Sequence, residues 1–265
     1  MRMRPIVLMA AAVTMLWGAT AYATSLGTLE LKYSSVSPTQ TGYVYLNGVS
    51  HGNVYIGEYN LKINKDYATT GEGTKIMQAA EPFNYVIGTF CADILQNAPT
   101  AYSLYNVYLP ADAPIGGGNI DMTDAKAWDL CRLFYQRLGA IGTANGAAAF
   151  EACVWEIVYE TSGTYDVDYT YSPTDTTRGN FYVQPTSGSG WLATANSWLG
   201  ALGTDQPQVA LRVLVSDGYQ DFALTVSGLG GGGPENPDIP EPVTMAGLMM
   251  GIGGLVTYVR KRRTA

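Results

Sequence analysis

Residues 28–64 alternate hydrophobic and polar side chains with a period of two. Leu29, Leu31 and Tyr33 fall on one face of a predicted strand, and the same period returns twice further along the segment. Such alternation indicates strands with one buried face. Turn residues separate the runs at Asn47-Gly48 and Gly52-Asn53. The pattern predicts a meander of about three strands.

Shorter apolar runs, bounded by turn residues, predict further strands in the rest of the chain. These strands are predicted at 83–95, 102–109, 165–171, 181–183, 209–215 and 221–226. Polar or Pro/Gly-rich stretches predict loops at 68–81 and 110–119, and Asp217-Gly218 predicts a turn between the last two strands.

Three segments show the helical spacing of three and four residues. The first, 122–138, has Asp121 or Thr123 as its cap and carries an apolar stripe. The second, 147–159, follows a glycine-rich break, and the third spans 191–202. We expect the first two to form an antiparallel hairpin against the sheet. The predicted fold class is therefore α+β: a β-rich domain, either a sandwich or a barrel-like antiparallel sheet, with a helical hairpin insertion.

The first 23 residues have the three parts of a secretory signal peptide. Arg2 and Arg4 form a basic start, an apolar core follows, and Ala21 and Ala23 make a small-x-small cleavage site. We expect cleavage after Ala23 and export of the protein; the alternative is an N-terminal anchor that stays in place. The body that remains, residues 24–228, has the length of one domain.

The end of the chain combines a linker, a proline motif, an apolar run and a basic cluster. Residues 229–239 are rich in Gly and Pro, which is typical of an extended linker. Pro240, Glu241 and Pro242 precede an uncharged run at 243–259, about 17 residues, the short limit for a transmembrane helix. The basic residues that follow are Arg260, Lys261, Arg262 and Arg263. Because Lys and Arg favour the cytoplasmic side of a membrane, the body should lie outside.

This order of parts resembles the PEP-CTERM sorting signal of Gram-negative bacteria, over residues 240–265. That signal is cut near the triplet by exosortase, a membrane protease-transpeptidase. The resemblance implies an exported protein that is anchored in the inner membrane through its C-terminal helix while in transit. It would then pass to the cell surface or extracellular matrix, with exosortase and exopolysaccharide as partners. The alternative is a plain C-terminal anchor that is never cut.

The charge balance of the chain argues against nucleic-acid binding. The full chain has a formal net charge of −7. Removing the six basic residues at its two ends leaves nine basic against 22 acidic residues, a balance of about −13. A surface of this sign repels DNA and RNA. The 19 tyrosines and 31 glycines otherwise fit a secreted β-rich protein.

Export to an oxidising compartment permits a disulfide among the three cysteines, Cys91, Cys131 and Cys153. Cys131 and Cys153 fall in two predicted helices that are joined by a short turn. A bond between them is the candidate disulfide, with Cys91 left over. All three pairings remain open, and the alternative is three buried small hydrophobic side chains.

A second resemblance involves the middle of the chain. Phe90-Cys91-Ala92-Asp93 ends a predicted strand, and residues 148–157 have the sequence AAFEACVWEI. Together they resemble the thioester domains of bacterial surface adhesins and of a related group of PEP-CTERM proteins. In reactive members a cysteine thiolate attacks a glutamine side-chain amide and ammonia leaves. The internal thioester then captures amines or hydroxyls on another surface.

This chain departs from that pattern because Glu151 stands where the family has glutamine. A carboxylate repels a thiolate and offers only a poor leaving group, so the bond should not form. The resemblance therefore implies a degenerate thioester pair, Cys91 and Glu151, in a fold that is kept. The alternative is an adhesin that still cross-links covalently through Cys91.

Other chemistry is weakly signalled. The single histidine, His51, excludes a His-rich zinc site, and no metal or cofactor is predicted. Glu156 with either Glu160 or Glu151 is the candidate acid/base pair of a secreted hydrolase, with the region of Glu151 and Glu156 as its site, although carboxylates at helical spacing are more often simply exposed. We expect a structural or adhesion protein of the cell surface without catalytic activity.

Overall fold

The computed structural model describes residues 24–118, 120, 122–168, 180–207 and 209–226. The predicted signal peptide, the linker and the sorting tail with its apolar run at 243–259 lie outside these residues. Within the described part, no helix combines the length and the apolar character needed to cross a bilayer.

The described chain forms seven strands and five α-helices, as the α+β prediction expects. The strands are β1 (Gly27–Leu46), β2 (Val49–Ile63), β3 (Val86–Cys91), β4 (Ser103–Tyr108), β5 (Phe181–Pro185), β6 (Leu211–Ser216) and β7 (Tyr219–Thr225). The helices are α1 (Gly71–Ala80), α2 (Ile115–Gly118), α3 (Asp124–Arg137), α4 (Ala144–Tyr159) and α5 (Gly190–Leu199).

All strand pairs within the sheet are antiparallel, and six of the strands pair in a closed ring. The sheet order is β2-β3-β7-β6-β4-β1-β5, and β1 also pairs with β2. Because β1 is 20 residues long, its second edge holds β4 at one end and β5 at the other. Of the two predicted arrangements, this pairing is that of the barrel-like sheet. Closure removes most of the exposed strand edges.

The first two strands correct the prediction of a three-strand meander. Strands β1 and β2 form one long hairpin that turns at Asn47 and Gly48, whose φ angles are 53° and 75°. Two residues with positive φ make the turn that suits a two-residue hairpin loop. The second predicted turn, Gly52-Asn53, lies inside β2, where Asn53 pairs with Tyr43 beside a register shift.

Helix α1 is a second correction, because the sequence predicted a loop over residues 68–81. Gly71 and Gly73 lower its intrinsic helix propensity, and Ile76 and Ala80 are its buried apolar side chains. Contacts with β1 and an ion pair with β6 supply the stability that the local sequence lacks.

Gly73 marks the point of closest approach between α1 and β1. A Cβ atom at this position would overlap the carbonyl oxygen of Thr28. We therefore expect Gly73→Ala to lower the free energy of unfolding by about 2 kcal/mol, measured by urea titration. Gly139→Ala is the control, because a Cβ there meets nothing within 4 Å. Equal effects of the two changes would contradict the packing argument.

The predicted helices α3, α4 and α5 are confirmed, with α4 at the centre of the fold. Thr123 caps α3 by accepting the Lys126 N–H, and Thr143 caps α4 by accepting the Gly146 N–H at 3.0 Å. Helix α4 packs against the sheet on one side and against α3 and α5 on the others. Every residue from Gly146 to Tyr159 is therefore buried. The prediction that carboxylates on α4 are exposed at a helix face is wrong.

The strand predicted at 165–171 does not form in its described part, residues 165–168. A single bridge joins Asp168 to Val183 of β5 there. The other predicted strands are found at β3 to β7, and the turn at Asp217-Gly218 joins β6 to β7.

Candidate functional site

Helix α4 supplies a hydrogen-bond partner that strand β3 lacks at its end. The β2–β3 ladder ends at the pair Tyr59–Thr89. Backbone N–H groups alternate in direction along a strand. The Cys91 N–H therefore points to the same side of β3 as the Thr89 N–H, but it lies beyond the last residue of β2 that pairs with β3. The Glu151 Oε1 atom accepts this N–H at an N–O distance of 3.1 Å. The structure thus brings Cys91 and Glu151 into direct contact across 60 positions of sequence.

Both side chains of this pair are closed off from solvent. Cys91 and Glu151 each have 0% relative exposure. The Cys91 thiol donates to the Asp93 carbonyl oxygen at an Sγ–O distance of 3.1 Å. The second carboxyl oxygen of Glu151, Oε2, has no hydrogen-bond partner among the described residues. No described donor therefore stabilises a negative charge on that oxygen.

Burial favours the neutral form of both groups. Desolvation raises the pKa of the Glu151 carboxyl well above its ordinary value, and the Cys91 N–H only partly opposes this. Desolvation also raises the pKa of the Cys91 thiol, and the nearby Glu151 carboxylate raises it further. A neutral thiol beside a carboxylic acid is a weak nucleophile beside a poor electrophile. The raised pKa values therefore disfavour a reaction between the two side chains.

One face of α4 continues this contact along the segment after β3. Tyr159 lies eight residues after Glu151, and its hydroxyl donates to the Asp93 Oδ1 atom at 2.9 Å. The same hydroxyl accepts the Ile94 N–H at 3.0 Å, and Asp93 Oδ1 also accepts the Leu95 N–H at 2.8 Å. Sequence reasoning did not assign Tyr159 a role, although the helical spacing from Glu151 is its signal.

Aromatic rings pack tightly beside the pair. The Phe90 ring lies 4.3 Å from that of Phe150 on α4, measured between centroids, and Phe150 meets Phe134 edge to face at 4.9 Å. Trp155 meets Phe181 in the same way at 6.0 Å. Phe150 and Trp155 are therefore core residues. Such packing holds α4 against β3 and leaves little freedom to the Cys91–Glu151 contact.

The candidate hydrolase pair is not assembled as an acid/base site. Glu156 Oε1 accepts the Asp166 N–H at 2.7 Å, whereas Glu151 faces the Cys91 N–H. Both carboxyls are fully buried, which corrects the expectation that they are exposed. Burial raises the pKa of Glu156 well above its ordinary value. Each carboxyl instead satisfies a backbone group of a neighbouring segment.

A further buried carboxyl, Asp221, was not predicted from the sequence. Its two oxygens accept the Gly116 N–H at 2.8 Å and the Ser216 N–H at 2.9 Å. Burial raises the pKa of Asp221 to about 7, and the charge of Asp93 adds to the shift. Asp221 thus joins β7 to the short helix α2. No sequence motif marks this position.

The candidate disulfide between Cys131 and Cys153 is wrong for this structure, where both residues are free and buried thiols. The Cys153 thiol is directed at α5, where it donates to the Ala195 carbonyl oxygen at 3.5 Å. Burial raises the pKa of Cys131 to about 12 and that of Cys153 well above its ordinary value. Cys131 and Cys153 instead agree with the alternative expectation, that the cysteines are buried small hydrophobic side chains.

The remaining predicted residues belong to the sorting signals and lie outside the described chain. They are Ala21, Ala23, Pro240, Glu241, Pro242, Arg260, Lys261, Arg262 and Arg263. In the described ranges, no group of three or more His, Cys, Asp or Glu side chains is placed to hold a metal ion. No protein-family model matches this chain, and no curated protein or solved structure is detectably similar to it. The PEP-CTERM and thioester resemblances therefore stay predictions.

Proposed function

We propose that this protein is an exported structural or adhesion protein without catalytic activity, sorted by exosortase to the cell surface or its exopolysaccharide. The observation that carries the proposal is the order of parts at the two ends of the chain. A basic, apolar and Ala-x-Ala start spans residues 1–23, and a Pro-Glu-Pro triplet, an apolar run and a basic cluster span 240–263. A start of this kind directs export, and a tail of this kind holds the chain in the inner membrane until it is cut.

The interior of the body supports the absence of catalysis. Cys91 and Glu151 are buried, which raises the pKa of both groups, and Glu156 accepts a hydrogen bond from the backbone of Asp166. A general acid or a nucleophile must reach a substrate atom, directly or through one water. In this conformation these three groups reach only other parts of the same chain.

Expression in a bacterium that carries an exosortase tests the proposal. The intact mass of the released protein should lack residues 1–23 and the tail from near Pro240 onward. Replacing Pro240, Glu241 and Pro242 by alanine should leave the tail in place and keep the protein in the membrane fraction. The matched control is alanine at Pro234 and Glu235 in the linker, which should be processed like the unchanged chain.

Fractionation of the same cultures separates the outcomes. A full-length chain that is soluble inside the cell with both ends intact would overturn the proposal. An exported chain that keeps its tail in both the unchanged and the triplet variant would support the plain anchor instead.

The contact between Cys91 and Glu151 favours one second candidate, an adhesin that cross-links through Cys91. Formation of a thioester from the carboxyl would release water and needs an activating partner. A deficit of one water in the intact mass would support it, if methylamine then frees the Cys91 thiol and leaves a methylamide at residue 151. An unmodified mass together with a Cys91 thiol that reacts after denaturation would remove it.

A further inference from the structure

Three neighbouring strands present a regular array of side chains on the outward face of the sheet. In the pairing of β2, β1 and β5, Tyr55 lies opposite Thr41, Asn53 opposite Tyr43, and Tyr45 opposite both Ser50 and Tyr182. The full array, here called the tyrosine grid, consists of Ser50, Asn53 and Tyr55 on β2, Thr41, Tyr43 and Tyr45 on β1, and Tyr182, Gln184 and Thr186 on β5 or just after it.

Burial shows that the tyrosine grid faces solvent. A residue next to a grid member points inward on each strand: Val44 on β1, Ile56 on β2 and Val183 on β5 are each 0% exposed. Alternate residues of a strand lie on opposite faces. In agreement, Tyr43 is 43% exposed and Tyr55 is 57% exposed.

The rings of the grid are ordered by contacts with each other. Tyr45 and Tyr182 stack with their ring centroids 4.6 Å apart and their planes 5° from parallel. The Tyr45 hydroxyl donates to the Gln184 Oε1 atom at 3.2 Å, and the hydroxyls of Thr41 and Thr186 are 2.5 Å apart. Two flat rings are therefore held against each other before any ligand binds, which lowers the entropy cost of binding.

The grid is uncharged in an otherwise acidic chain. Residues 33–57 and 180–204 contain no Asp, Glu, Lys or Arg, whereas the whole chain carries a net charge of −7. An anionic polymer would find no Lys or Arg among the described residues of these two segments and would be repelled by the net charge of the protein. The charge pattern therefore fits an uncharged ligand.

The chemistry of the grid fits a sugar better than a protein. Its nine members are four tyrosines with hydroxyl and amide side chains, and none is aliphatic, whereas the buried centre of a protein interface is more apolar. A pyranose ring offers an apolar C–H face to an aromatic ring and hydroxyls at its rim to amides and hydroxyls. Outward side chains on a strand recur about every 7 Å and neighbouring strands about every 4.8 Å, so several sugar units of one polymer meet the face together.

We propose that the tyrosine grid binds an uncharged polysaccharide built of pyranose units. The inference rests on the proposed display in exopolysaccharide and adds to it the class of ligand and the residues that bind it. Tyr43, Tyr45, Tyr55 and Tyr182 contact the sugar rings, while Asn53 and Gln184 bind the hydroxyls.

Affinity electrophoresis of the purified full chain in detergent micelles tests this inference. Native gels contain hydroxyethyl cellulose, galactomannan or dextran as uncharged polymers, and alginate as the anionic one. We expect retardation by at least one uncharged polymer and none by alginate. Replacing both Tyr45 and Tyr182 by alanine should weaken the binding about tenfold, and Tyr43→Ala or Tyr55→Ala about fivefold.

The matched control is Tyr135→Ala, which removes a tyrosine that is 68% exposed on α3, away from the grid. It should bind like the unchanged protein. Thermal unfolding identifies any variant that fails to fold. If the double variant fails to fold, the single changes at the exposed Tyr43 and Tyr55 still test the inference.

Three results would overturn the inference: folded protein that no uncharged polymer retards, equal retardation by alginate, or unchanged binding in the tyrosine variants. Self-association in sedimentation experiments that is lost in those variants, without an effect on sugar binding, would also overturn it and assign the face to a second copy of the chain. Because binding is measured on purified protein, such a failure would not contradict the export proposal. Intact-mass measurement and cell fractionation test that proposal separately.

Discussion

The Glu151→Gln variant is expected to lose one ammonia from its intact mass. The substitution places an amide where the Glu151 carboxyl accepts the Cys91 N–H at 3.1 Å. The side-chain oxygen can keep that hydrogen bond, and the new NH2 takes the place of Oε2, which has no described partner. The Cys91 sulfur can then attack the amide carbon, and its proton leaves with ammonia as the thioester forms.

Three measurements check this result. The intact mass should fall by one ammonia, the Cys91 thiol should resist alkylation after denaturation, and methylamine should restore the thiol and label residue 151. The unchanged protein should show its full mass and a thiol that reacts after denaturation. A Glu151→Gln variant with full mass and a reactive thiol would contradict the interpretation of Cys91 and Glu151 as a degenerate thioester pair.

The Cys91→Ser, Glu151→Gln double variant separates bond formation from the effect of charge. Burial raises the folded-state pKa of Glu151 above that of the unfolded chain. The stability from the neutral carboxyl is therefore fully present below the unfolded-state pKa and is lost as pH rises through the folded-state pKa. Compared with Cys91→Ser alone, the double variant should lack this loss. In urea titrations, Cys91→Ser should therefore lose more free energy of unfolding than the double variant as the pH is raised from 4 to 8.

Local signals in the sequence were enough to place several elements of the fold. The hairpin turn at Asn47-Gly48 and the turn at Asp217-Gly218 follow from residues that favour positive φ or tight turns. The helices α3 and α4 follow from their apolar spacing, and α3 follows also from its candidate cap at Thr123. Each of these signals lies within a few residues of the structure that it predicts.

Features that depend on distant contacts could not be predicted in the same way. Helix α1 contains two glycines in its first turn and is held by β1 and β6, which are far away in sequence. Strand β1 is long because three other strands pair with it. The burial of Glu156 likewise depends on the Asp166 segment folding over α4. Periodicity in a single segment carries no information about such partners.

The contacts of the candidate site also fall into two groups, those that a sequence motif suggests and those that no motif marks. The contact of Cys91 with Glu151 was suggested by a motif resemblance, and the structure adds that a missing ladder partner on β2 is what makes room for the carboxyl. Asp221 and the Tyr159–Asp93 link carry no motif, because any sequence that places a buried acceptor near a free N–H would serve.

Glu72→Ala is expected to lower the free energy of unfolding by about 3 kcal/mol. Glu72 of α1 accepts two hydrogen bonds from the Arg212 guanidinium on β6, one of them at 2.9 Å between Nη2 and Oε1. The Arg212 side chain is 3% exposed. Removing Glu72 therefore takes the carboxylate of this ion pair away from a buried positive charge, while Arg212 keeps its bond to the Leu211 carbonyl oxygen at 2.8 Å.

Urea titration of single and double variants distinguishes the charge effect from the loss of packing. Replacing both Glu72 and Arg212 by methionine should recover most of the lost stability, because the buried positive charge is then removed together with the carboxylate. Glu81→Ala, at an exposed acid just after α1, is the matched control and should change stability by less than about 0.5 kcal/mol. Because α1 has little helix propensity of its own, a cost below about 1 kcal/mol for Glu72→Ala would mean that contacts with β1 alone hold this helix in place.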